Sequence, residues 1–86
     1  MRHARPDDLV DLQPLLEQLR GLDGLVERTP GSFYRRGRGF LHFHVDGDRL
    51  FCDVKLTGPA FERVEATTRA QQRRLLTAVK RSLAPH

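Results

Sequence analysis

The sequence predicts a two-layer α+β sandwich: an antiparallel sheet of four to five strands with an N-terminal and a C-terminal helix on one of its faces, in the order α-β-β-β-β-β-α. Three observations carry this. Residues 39–56, GFLHFHVDGDRLFCDVKL, alternate strictly around Asp46-Gly47-Asp48. Leucines recur at helical spacing before that stretch, and a second amphipathic run closes the chain after it. Each helix thus has one apolar stripe and the central hairpin one apolar face, and the economical way to bury all three is to lay both helices on that face.

Taken in order, residues 1–6 hold no periodic apolar pattern and are expected to be flexible. Leu9, Leu12, Leu15, Leu16, Leu19 and Leu22 recur at helical spacing. Pro14 is awkward inside a helix but tolerated in a first turn, which sets the start near Asp11 with a separate turn over 7–10. Gly21 and Gly24 end the helix. Leu25 to Thr29 and Phe33 to Arg36 read as short strands about Pro30-Gly31, and Gly37-Arg38-Gly39 turns into the hairpin.

In the hairpin, successive residues point to opposite faces. Leu41, Phe43, Val45, Leu50, Cys52, Val54 and Leu56 fall on one face; Phe40, His42, His44, Phe51, Asp53 and Lys55 fall on the other. Asp-Gly between alternating runs is a strong hairpin signal. A loop of two or four residues keeps the apolar sides together, whereas three without a bulge would set Leu41 against Asp53. Thr57-Gly58-Pro59 breaks the sheet, and Phe61 to Ala66 forms a final strand. Thr68-Arg69-Ala70-Gln71 has the form of a capping box, opening a helix to about Leu83 along the stripe Leu75, Leu76, Val79, Leu83.

Length and composition bound the rest. At 86 residues the chain is expected to be one domain over 1–86, with a single modest core that needs neither disulfides nor structural metal. No apolar run approaches the ~20 residues of a membrane span, and the first residues lack the apolar core of a signal peptide. The lone Cys52 cannot pair within the chain, so a cytoplasmic location is expected, with the thiol acting as a small buried hydrophobe and not a nucleophile. The net charge of +4 is uneven: residues 28–45 carry four arginines and no acid, and residues 67–86 carry Arg69, Arg73, Arg74, Lys80 and Arg81 with no acid.

Three constellations could carry function. His42 and His44, two apart on a strand, project from one face, with Asp53 on the matching face of the next strand; His-x-His plus a carboxylate is a set that zinc or non-haem iron can use, although nothing in the sequence supplies a fourth ligand. Tyr34, Arg35, Arg36 and Arg38 place an aromatic ring among arginine forks at a glycine turn, the residue types of single-stranded nucleic-acid recognition, and the last helix adds a second basic face. The bland counterparts are solvated histidines, a solvated turn and a charged outer helix face. Nucleophile elbows, phosphate-binding glycine loops and dinucleotide fingerprints are missing from the sequence, and Glu62 and Glu65 fall on opposite strand faces. The expectation is therefore a non-enzymatic domain without a cofactor that works by binding. Its outer sheet face, with Phe40, Phe51, His42, His44 and Asp53, would meet another protein or a second copy of itself as a homodimer. Nucleic-acid binding through Arg35, Arg36, Arg38 and the last helix is one alternative, and a metal site at His42, His44 and Asp53 the other.

The run Phe33-Tyr34-Arg35-Arg36-Gly37-Arg38-Gly39-Phe40-Leu41-His42-Phe43-His44, followed by Leu50-Phe51-Cys52-Asp53-Val54-Lys55-Leu56, resembles two groups of small bacterial domains. In the MmcQ/YjbR-like domains a glycine-basic turn precedes an apolar strand and then a strand ending in a lysine-leucine pair. In the luciferase-family domain a Gly…His-x-His strand precedes an aspartate-bearing one. The first resemblance implies a mixed α+β domain, sometimes compared with DNA-binding folds; neither implies a settled activity.

Overall fold

A computed structural model of the chain describes residues 1–84. Six strands, β1 (Arg2–His3), β2 (Val26–Thr29), β3 (Ser32–Arg35), β4 (Arg38–Asp46), β5 (Arg49–Val54) and β6 (Glu62–Glu65), form one antiparallel sheet with two helices, α1 (Gln13–Arg20) and α2 (Arg69–Leu83). Strands β2 to β6 follow one another as a meander, and β1 pairs with β4 beyond the end of β3. The expected α+β architecture is therefore present, with one strand more than the sequence predicts.

Strand β4 is the axis of the sheet. Its first half pairs with β3, its second half with β1, and its whole length from Leu41 to Asp46 with β5. The β4–β5 register sets Leu41 opposite Val54, Phe43 opposite Cys52 and Val45 opposite Leu50, so the apolar faces coincide across a two-residue loop. Gly47 carries the left-handed φ of 62° at the first loop position, as a tight hairpin requires. Those six residues join Leu9, Leu12, Leu15, Leu16 and Leu19 from the N-terminal segment, Phe33 from β3 and Leu75, Leu76 and Val79 from α2 in one core. Each fully buried aliphatic side chain of this kind contributes about 1.5–3 kcal/mol. Cys52 lies in that core, and burial pushes its thiol well above the ordinary value, so it is not a nucleophile at neutral pH.

Helix α1 starts at Gln13 with Pro14 in its first turn, preceded by a separate 3-10 segment over Pro6–Leu12, close to the sequence expectation. Helix α2 is capped as its sequence states: Thr68 Oγ1 accepts from Gln71 N at 3.1 Å, and Gln71 Oε1 accepts from Thr68 N at 3.0 Å.

Three expectations are corrected. Residues 1–6 are not loose: Arg2 and His3 pair with Val45 and His44, and Ala4 N donates to Phe43 O at 3.0 Å. Asp8 holds this segment from the other side, taking both Arg2 guanidinium nitrogens (2.6 and 3.0 Å) and the Arg5 N–H (2.8 Å), and these donors lower its carboxyl to about 2. Phe40 does not share the outer face with His42; it is only 3 % exposed and belongs to the core. The β3–β4 register shifts between Phe33 and Tyr34, so Phe40 is an extra residue of a bulge, and the strict alternation read from the sequence holds only from Leu41 onward. Finally, the turn before β4 is Arg36-Gly37, with φ of 53° and 79°, and the strand already begins at Arg38.

Gly31, in the tight β2–β3 turn, is tied to the core by sterics. Its φ is +78°, and a Cβ there would stand 3.1 and 3.2 Å from the two methyls of the buried Leu9. Gly31→Ala is expected to destabilise the protein by about 1–2 kcal/mol or more, from the left-handed backbone and the displaced leucine together. Gly58→Ala, with open space around it, serves as the control in urea titrations and is expected to change little.

Candidate metal centre

The β4–β5–β6 register builds two cross-strand rows on the outer face. One runs His42–Asp53–Arg63; the other runs His44–Phe51–Glu65 and is extended by His3, which pairs with His44 from β1. Side chains directly opposite in an antiparallel sheet stand close enough to interact, and long ones reach diagonally to the next row. Asp53 is opposite His42 and diagonal to His44, and both rings turn their Nε2 toward the same oxygen, Asp53 Oδ2, at 3.6 and 3.0 Å. One donor atom from each of His42, His44 and Asp53 lies within 4.8 Å of the others.

Two features of this cluster are unusual for a solvated surface. His44 Nε2 is buried and has no hydrogen-bond partner, even with the Asp53 carboxylate 3.0 Å away. An orphaned buried nitrogen costs about 1–3 kcal/mol, so its retention calls for a reason. The histidine rings are also crowded: His3 and His44 have centroids 4.5 Å apart, His42 and His44 4.8 Å, and His3 and His42 5.6 Å. Burial holds the His42 imidazole below its ordinary 6.5, and the neighbouring His44 adds to this while Asp53 opposes it. His42 is therefore neutral at pH 7, the form that binds metals.

Arg63 fixes the carboxylate. Its Nε donates to Asp53 Oδ1 at 2.9 Å and its Nη2 to Oδ2 at 3.1 Å, a bidentate clamp that is the main reason the Asp53 carboxyl lies below its ordinary value. At the rim, Phe61 meets the His42 ring edge-on at 4.9 Å, and Lys55 Nζ lies 4.8 Å from the Phe61 centroid.

Of the residues singled out in the sequence, His42, His44 and Asp53 come together. Phe51 stays on the same face, half-buried beneath the Arg49 guanidinium at 5.1 Å, and Phe40 leaves it. Tyr34, Arg35, Arg36 and Arg38 lie elsewhere, around the turn that opens β4; Arg28 stacks on the Tyr34 ring at 4.5 Å, so that ring is already occupied. Sequence reasoning missed His3, Arg63 and Phe61. Alternation along Phe61-Glu62-Arg63 could have placed Phe61 and Arg63 on one face, but His3 carries no local signal.

Compared with family models, curated proteins and solved structures, the chain matches none, so a functional reading rests on this geometry. Among the described residues no helix is long and apolar enough to cross a membrane.

Proposed function

We propose that this domain binds a transition-metal ion, zinc being the best fit, through His42 Nε2, His44 Nε2 and Asp53 Oδ2, with His3 as the fourth ligand. The observation that carries the reading is the buried, unpartnered His44 Nε2 facing a carboxylate oxygen it does not hydrogen-bond. The spacing supports it as well. Tetrahedral zinc with ligand bonds of about 2.0–2.1 Å sets its donor atoms roughly 3.3 Å apart. The two nitrogen–oxygen separations here, 3.0 and 3.6 Å, bracket that value, and the three donor atoms all lie within 4.8 Å of one another. Imidazole and carboxylate together suit zinc, and the Arg63 clamp supplies the outer partner that ligating carboxylates ordinarily have. His3 sits beside both rings and is exposed, which makes it the side chain we assign as fourth ligand. Four protein ligands leave no open position for substrate, which makes this a binding centre and not a hydrolytic one.

The test is metal titration of protein free of any histidine tag, followed calorimetrically and by the visible absorption of a cobalt-substituted sample. One ion per chain in a tetrahedral environment is expected. Affinity should fall progressively below pH ~6, because protons compete for the imidazoles and the bound form requires them neutral. A chain that takes up neither zinc nor cobalt at pH 7.5 would overturn the reading.

A further inference from the structure

The two basic segments that are separate in the sequence meet in space. Arg35 at the end of β3, Lys55 just after β5 and Arg81 on α2 line one open groove of about 630 Å³, together with the hydroxyl residues Thr57 and Ser82. No acidic residue lines it. A second groove of about 470 Å³ shares Ala78 and Arg81 with the first and adds Arg73 and Arg74, so the basic lining continues along α2. None of these five cations forms an ion pair among the described residues, although four other arginines of the chain do: Arg2, Arg20, Arg49 and Arg63. One carboxylate touches the lining from outside it: Glu62 accepts from Thr57 Oγ1 at 3.2 Å. Exposed Arg36 and Arg38 stand on the turn beyond Arg35, and Arg36 is held in the left-handed region, a conformation an arginine adopts at a cost.

We infer that this groove binds the phosphate backbone of a single-stranded nucleic acid. A lone phosphate would need one cluster of donors, whereas the cations here extend as a track through two joined grooves, the arrangement that follows a backbone. Arginine supplies most of the track, and its planar fork matches phosphate oxygens in pairs. Phe61 offers the stacking surface: the residue is 45 % exposed, and the Lys55 ammonium now 4.8 Å from its ring centroid is itself a member of the track, so a base stacks there as Lys55 turns to the backbone. The cation track shares no residue with the proposed metal ligands and does not rest on that reading, although Phe61 also borders His42.

Fluorescence anisotropy with a labelled single-stranded oligonucleotide, over a salt series from 50 to 200 mM, tests the inference on the intact chain. Five backbone contacts predict a log–log slope of about −3.5 and a loss of affinity on the order of 100-fold across that range. The double variant Lys55→Gln/Arg81→Gln should flatten the slope to about −2. Phe61→Ala should weaken binding at least about fivefold. Arg49→Gln, at the far end of the hairpin, should leave affinity within about twofold, and circular dichroism verifies that each variant is folded. Absence of binding at 50 mM salt overturns the inference. So does binding that the groove variants leave unchanged, and a duplex bound as tightly as the single strand overturns the choice of ligand.

Discussion

His44→Ala is expected to lower zinc affinity by on the order of 100-fold or more while leaving the protein folded. Even residues that merely orient a ligand change metal affinity 10- to 100-fold, and His44 supplies a donor atom directly. The fold should survive because the ring lies on the outer face, apart from the core built by Phe43 and Val45 on either side of it. Removing it also takes away the buried nitrogen that has no partner, so the cost of lost packing is partly offset. The measurement is competition against a chelator of known affinity, with His44→Gln keeping most of the volume as a second variant. His3→Ala should have the smaller effect, about tenfold, because three ligands remain and water can take the fourth position. Wild-type affinity in both His44 variants would place any bound zinc elsewhere on the chain.

Phe33→Ala is expected to cost about 3–5 kcal/mol of folding stability, the range for truncating a buried phenylalanine. Phe33 is 1 % exposed and stands opposite Leu41 on β4, the strand that pairs directly with β1, β3 and β5. A small domain has about 5 kcal/mol in hand at the lower end of the usual range, so the variant approaches the unfolded state at room temperature. In urea, with a slope near 1 kcal/mol per molar, the midpoint should fall by about 3 M or the transition should vanish. Phe33→Leu, which leaves a smaller void, should lose less and remain measurable. A loss under 1 kcal/mol for the alanine variant would mean that neighbouring side chains close over the cavity, and that the core is less tightly specified than its burial implies.

The legible part of this protein is the part written in short-range periodicity. Leu41, Phe43 and Val45 against His42 and His44, and Leu50, Cys52 and Val54 against Phe51 and Asp53, separate correctly because alternation across a strand is a property of the backbone itself. The cap at Thr68 and the terminal turn at Pro14 were legible for the same reason: each is decided within four residues. Phe40 was misplaced because a bulge depends on the register of a neighbouring strand, and no alternation count within β4 contains that information.

His3 is the clearer case. Nothing beside it in the chain marks it as part of a site; it arrives there because β4 outruns β3 and leaves an unpaired stretch of backbone that Arg2 and His3 fill. Arg63 is likewise unremarkable in sequence and acquires its partner from the β5–β6 register, while Arg81, legible as part of a basic helix, meets Arg35 and Lys55 only through the way α2 packs across the sheet. By itself the sequence determined which side chains share a face, since strand and helix periods act over a few residues. Only the tertiary structure decided which faces and ends adjoin, because register, bulging and the docking of β1 are set by pairing between segments far apart in the chain.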